Sequence, residues 1–181
     1  MRRNTLRISI AMAAALCLPT LASAQSSSLQ AVQVADVQTM KDKFVGLAEA
    51  FTAAQYDWRP MEGVRSVKDV LALIITECHQ MPVAWGVPAP SGAAAGFGPE
   101  MQRTGALSRA QIIRELGTAC DHMINAVRGM TEAQRSADSQ YFGRSMPISA
   151  NIMTATADMH EHLGQLIAYA RTNEVVPPWS R

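Results

Sequence analysis

The chain has 181 residues, of which 48% are apolar, 17% charged and 6% aromatic, and its formal net charge is +1. This length suits one domain, and the apolar share excludes a disordered chain, a collagen-like repeat and a polytopic membrane protein. Three cysteines are too few for a disulfide-dense scaffold, and the near-neutral charge excludes a strongly basic nucleic-acid binder. Eleven methionines and many alanines favour helix over sheet.

The first segment has the layout of an export signal. Met1 to Arg7 is basic, Ile8 to Leu21 is apolar, and Ala22-Ser23-Ala24 is a small-residue cleavage motif before Gln25. The apolar run is too short for a comfortable membrane span, and Leu16 before Cys17 argues against a lipoprotein site. Cleavage after Ala24 removes Arg2, Arg3 and Arg7, leaving 157 residues with 13 basic and 15 acidic side chains, a net charge of −2. The expectation is a periplasmic or secreted protein with no stable membrane anchor after cleavage. Cys78 and Cys120 then remain in an oxidising compartment, either as a disulfide or as two free, buried thiols.

Gln25 to Ser28 reads as a mobile lead-in. A first helix follows over 29–55, with Met40, Phe44, Leu47 and Phe51 on one face. Asp57-Trp58-Arg59-Pro60 ends it, because proline disfavours helix in the residue before it. Ser66 and Asp69 form a capping box for a second helix over 67–81, with an apolar stripe of Val67, Val70, Leu71, Ile74, Cys78 and Met81. Pro82 is expected to stop it. Residues 82–99 hold four prolines and four glycines and read as a long loop lying over the bundle or capping a pocket.

A second capping box, Ser108 with Gln111, starts a third helix whose stripe is Ile113, Leu116, Cys120, Met123 and Val127, ending at Gly129. Thr131 to Ala137 suits a short helical turn, and Tyr141-Phe142-Gly143 a turn. The last helix runs from about Pro147 to Thr172, on Ile148, Ile152, Met159, Leu163, Leu166 and Ala170. An extended tail, Val175 to Trp179, follows. Four long amphipathic helices without a convincing strand predict an all-α fold, a four-helix bundle.

The last helix carries the chemistry-bearing run Asp158-Met159-His160-Glu161-His162. Asp158 and His162 are about 40° apart on one face, and His160 is about 200° from His162, so only one histidine faces the core. A carboxylate and an imidazole at that spacing either grip a metal from the bundle interior or satisfy each other by hydrogen bonding. His79 and His122 read as surface or helix-end residues. Trp58, Trp85 and Trp179 read as packing at the bundle ends, with Trp85 and Phe97 as alternative walls of a ligand pocket.

The run from His160 to Asn173, followed by Val175-Val176-Pro177-Pro178-Trp179-Ser180, closely resembles the end of the DinB-like family. Trp58-Arg59-Pro60, Glu62-Gly63-Val64-Arg65-Ser66-Val67 resembles that family's turn into its second helix. The resemblance implies an up-down four-helix bundle, often a homodimer, and a divalent metal held by three histidines. One of these comes from the second helix and two, four residues apart, from the last helix just ahead of a Gly-Gln pair. Aligned this way, His162 matches the final ligand, Asp158 stands where a histidine is expected, and the second-helix ligand falls on Leu73. Glu174 replaces the glycine that ends the last helix.

Leucine cannot ligate, but Glu77 lies one turn beyond Leu73 on the same side of the helix. Glu77, Asp158 and His162 would make an oxygen-rich set suited to Zn, Mn or Fe. The reading these residues favour is a degenerate site without metal, in a protein that binds a small molecule or acts non-catalytically, and the variant metal site is the alternative. Characterised relatives imply metal-dependent hydrolases and thiol transferases as the catalytic readings. No nucleic-acid partner is expected.

Overall fold

The structure, a computed structural model, describes the backbone of residues 18–141 and 143–180 and the side chains of 29–140 and 143–180. The basic stretch and most of the apolar run of the proposed export signal lie outside the described residues. No helix among the described residues is long and apolar enough to cross a membrane.

The helices are α1 (Leu18–Ala50), α2 (Val67–Ala84), α3 (Phe97–Gly105), α4 (Arg109–Gly129), α5 (Glu132–Ser136) and α6 (Ile148–Thr172). Strands β1 (Asp138–Tyr141) and β2 (Arg144–Pro147) form one antiparallel hairpin. The four long helices α1, α2, α4 and α6 make the expected bundle, in which α1 and α2 each pack against both α4 and α6. Helix α1 runs antiparallel to α4: Gln30 bonds the carbonyls of Val127 and Met130, Lys41 pairs with Asp121, and Arg109 reaches the carbonyl of Glu49. Helices α2 and α6 are likewise antiparallel, with Tyr169 bonding Arg65 and Asp158 standing beside Glu77.

The predicted stripes fill the core. Met40, Phe44, Leu47 and Phe51 are fully buried, as are Leu71, Ile74, Leu116, Met123 and Ile152. On α4, Ile112 is fully buried while Ile113 packs at the margin, so the stripe begins one residue earlier than the sequence suggests. Both predicted capping boxes are present, Ser66 with Asp69 and Ser108 with Gln111.

Several boundaries differ from expectation. Residues 25–28 are helical backbone within α1 rather than a mobile lead-in. Helix α1 stops at Ala50, because Gln55 Oε1 accepts from both the backbone N–H and the hydroxyl of Thr52, and a 3-10 turn over Ala54–Asp57 follows. Pro82 does not stop α2, which runs two residues further. Its carbonyl accepts from Val87 N–H at 2.9 Å while Gly86 N–H bonds Val83, and Gly86 supplies the positive φ that this helix-ending motif needs.

Helix α3 begins in the last three residues of the stretch expected to be loop and continues to Gly105, over residues for which the sequence predicts no helix. Gly96 turns the chain with φ +90°, and Pro99 sits in the first helical turn, where its missing N–H costs nothing. The hairpin was hidden in the sequence because its strands are four residues each and lack apolar alternation. The tail carries a short 3-10 turn, Pro178–Ser180, and is not fully extended.

His79 corrects the surface reading: it is buried, and its Nδ1 lies 2.8 Å from Oε1 of the fully buried Glu100. Glu100 also accepts from the Ala94 N–H and, through both oxygens, from Arg103, which reaches on to Glu115 of α4. This network clamps α3 and the 85–96 loop onto α2 and α4. The loop walls a cavity of about 290 Å³ lined by His79, Arg103, Glu115 and Pro90 to Ala93. Trp85 is buried in the core, and neither it nor Phe97 lines this cavity.

Candidate metal centre

Helix α2 places Glu77 three turns in from its Ser66 cap, and the residue is only 4% exposed. Asp158 and His162 project toward it from α6. One donor atom from each of Glu77, Asp158 and His162 lies within 4.8 Å of the other two. The three residues singled out from the sequence therefore meet at one point, supplied by two helices. His160 faces the other way and pairs with Asp36 of α1 at 3.0 Å. Leu73, buried one turn before Glu77, contributes hydrocarbon only.

The carboxyl of Glu77 is in an unusual state. Burial, then hydrogen bonding to Asp158, then the negative charge of Asp158 push its pKa up to about 9. Glu77 therefore holds a proton at neutral pH when nothing else occupies the site. Its Oε2 is buried and has no hydrogen-bond partner among the described residues. A buried, unpaired carboxyl oxygen is costly, and a cation is one group that would satisfy it.

The proton on His162 is fixed by a chain of hydrogen bonds that ends on backbone. Tyr169 Oη lies 3.0 Å from the carbonyl of Arg65, which can only accept, so the hydroxyl donates there. Gln165 Nε2 then donates to the hydroxyl oxygen at 2.8 Å, which leaves Gln165 Oε1 as an acceptor. His162 Nδ1, 3.1 Å from that oxygen, must carry a proton. In the neutral ring the lone pair is therefore on Nε2, which faces Asp158 Oδ2 at 3.8 Å. That separation is too long for a hydrogen bond. Orienting a ligand histidine through its other nitrogen is the usual outer arrangement of metal sites.

Arg65, Gln165 and Tyr169 stand in the stretches that carry the family resemblance, but the sequence reading assigns them no role at the site. The signal was the spacing of three and seven residues from His162, which sets Gln165 and Tyr169 on its face of α6. Tyr169 is itself held edge-on by Trp58, with ring centres 5.2 Å apart.

His79, Glu100 and Glu115 make a second cluster of donors within 4.8 Å. Arg103 already lies between the two carboxylates, and both oxygens of Glu100 are taken. This donor set is consumed by the loop clamp and does not suit a cation.

A sequence model of the DinB superfamily matches residues 37–166. The chain belongs to the DinB superfamily. The matched interval includes Glu77, Asp158 and His162. Among solved structures, a DinB-like protein of Bacillus subtilis is 19% identical with a TM-score of 0.63, covering 82% of this chain and 96% of that one. A DinB-like protein of Bacillus cereus is 17% identical with a TM-score of 0.62, covering 77% of this chain and 89% of that one. A mycothiol-dependent maleylpyruvate isomerase is 14% identical with a TM-score of 0.60, covering 76% of this chain and 60% of the isomerase. At these identities the likeness is one of fold. No curated protein matches the sequence. Of the three positions where the family resemblance implies histidine, this chain has Leu73, Asp158 and His162, and Glu77 converges on the last two from one turn beyond Leu73.

Proposed function

We propose that this DinB-superfamily protein binds a divalent cation of the Zn, Mn or Fe class through Glu77, Asp158 and His162, and uses it in a hydrolytic reaction on a small molecule. One observation carries the reading: the buried Oε2 of Glu77 has no partner, and Asp158 and His162 offer donors within 4.8 Å of that carboxyl. Two oxygens and one imidazole nitrogen suit these metals better than a copper- or nickel-selective site.

A divalent ion held by Glu77, Asp158 and His162 would supply Lewis acidity toward water or a thiol. The chain's own residues do the rest. The Gln165–Tyr169 relay keeps the His162 Nε2 lone pair available and the ring fixed. Glu77, protonated in the metal-free protein, would have to lose that proton to serve as the second carboxylate ligand. Asp158, with its side chain 36% exposed, is more open to solvent than His162 or Glu77. Export to the periplasm or medium, as the N-terminal layout suggests, favours hydrolysis, since cytosolic thiol cofactors are scarce there.

A second reading, thiol transfer at the same ion, draws on the fold shared with the mycothiol-dependent isomerase. Assays with and without a low-molecular-weight thiol separate the two. The founding experiment is elemental analysis of protein purified without a histidine tag, after incubation with Zn, Mn and Fe(II), beside His162→Ala. Near-stoichiometric metal in the wild type and loss in the variant is the expected result. No metal in either overturns the reading.

A further inference from the structure

Helices α2 and α4 meet at Cys78 and Cys120. Their sulfurs are 3.5 Å apart, and both residues are fully buried in the core. Both are free thiols in the structure. The only other cysteine, Cys17, lies within the expected export signal. We propose that Cys78 and Cys120 form a disulfide that staples α2 to α4 when the chain folds in an oxidising compartment.

The geometry is close to what the bond requires. The sulfurs stand 3.5 Å apart against a bonded separation of about 2 Å, and the helices that carry them are already in contact. The residues are 42 apart in sequence, so the staple closes a long loop of the unfolded chain. Met123 Sδ lies 3.9 Å from Cys78 Sγ, so a third, soft sulfur adjoins the pair.

The reaction needs an oxidant that is itself a disulfide. One cysteine thiolate attacks it, breaking the oxidant's S–S bond, forming a mixed disulfide and releasing one thiol. The second cysteine thiolate attacks the first cysteine's sulfur and releases the second thiol. Two electrons and two protons pass from the chain to the oxidant. Because neither sulfur reaches solvent in the folded protein, the exchange occurs before α2 and α4 close on each other. The staple holds the turn of α2 that carries Glu77, but its formation does not depend on the metal.

The test is refolding of the full chain from reductant into a buffer of oxidised and reduced glutathione. The refolded protein is then denatured, alkylated, cut with trypsin and mapped by mass. The Cys78 and Cys120 peptides are expected as one species, two hydrogens lighter than their sum and separated by reductant. The denaturation midpoint should be higher in this form than in protein refolded under reductant, and Cys120→Ala should remove the difference. Cys78 and Cys120 peptides that appear singly alkylated, glutathione-capped or joined to Cys17 would overturn the proposal. The mapping on the wild type decides the matter even if the variant folds poorly.

Discussion

Glu77 of α2 and Asp158 of α6 bring two carboxyl groups within 4.8 Å of each other at the bundle interior. Two like-charged groups so placed cannot both ionise freely, and the more buried of them, Glu77, keeps its proton up to about pH 9. The metal-free protein therefore carries a stored proton at the position where a cation would supply positive charge.

That proton makes stability pH-dependent with a definite sign. The folded pKa of Glu77 is about 9, above the unfolded carboxylate's value of about 4.3, so between these limits the native state holds the extra proton. Stability of the metal-free protein from this group is full at pH 4 and falls as pH rises toward 9. The slope approaches roughly 1.4 kcal/mol per pH unit in the middle of the window. Denaturation at a series of pH values should show this fall, and Glu77→Gln should flatten it. An equally steep fall in the variant would show that another group is responsible.

Tyr169→Phe removes only the hydroxyl through which Gln165 is anchored to Arg65. Freed to rotate, Gln165 no longer fixes the proton on His162 Nδ1. Metal affinity should drop about tenfold, while the ring keeps its contact with Trp58 and the fold survives. Competition titration with a chelating dye measures it. Unchanged affinity would remove the relay from the account.

How much of this was readable in the sequence depends on the kind of interaction. The helices of the bundle and two of their caps follow from apolar spacing and from Ser66 and Ser108, which act locally. The convergence of Glu77 with Asp158 and His162 was legible through helical spacing combined with the family resemblance. The loop clamp was not. His79, Glu100, Arg103 and Glu115 lie on three different helices, and one of these, α3, starts at the end of a glycine- and proline-rich stretch that reads as loop. Long-range pairing of charges leaves no periodic trace.

The clamp gives its own prediction. Burial alone would raise the Glu100 carboxyl, but bonds from Arg103, His79 and the Ala94 amide outweigh it and bring the pKa down to about 2. Its contribution is present above the unfolded value of about 4.3 and is lost as pH falls toward 2. Glu100→Gln should cost about 3 kcal/mol at neutral pH, since Arg103 and His79 lose a buried partner. Faster amide exchange at Ala94 should accompany it. Near-neutral stability would contradict the clamp.

Glu174 ends α6 with φ +58°, the only positive φ among the described non-glycine residues, while Val175 N–H bonds the carbonyl of Ala170 at 2.8 Å. This is the left-handed position where the resembling family carries glycine. Glu174→Gly should stabilise the protein by about 1 kcal/mol by relieving the Cβ clash. Chemical denaturation reads it, and destabilisation would place a role on the carboxylate that the backbone argument omits.

The most direct test is calorimetric titration of the untagged protein with Zn or Mn at pH 7, in buffers of different ionisation enthalpy. About one equivalent of metal should bind and close to one proton should be released per metal, with both lost in Glu77→Gln. Binding without proton release, or no binding at all, would contradict the claim that Glu77 exchanges its proton for a cation shared with Asp158 and His162.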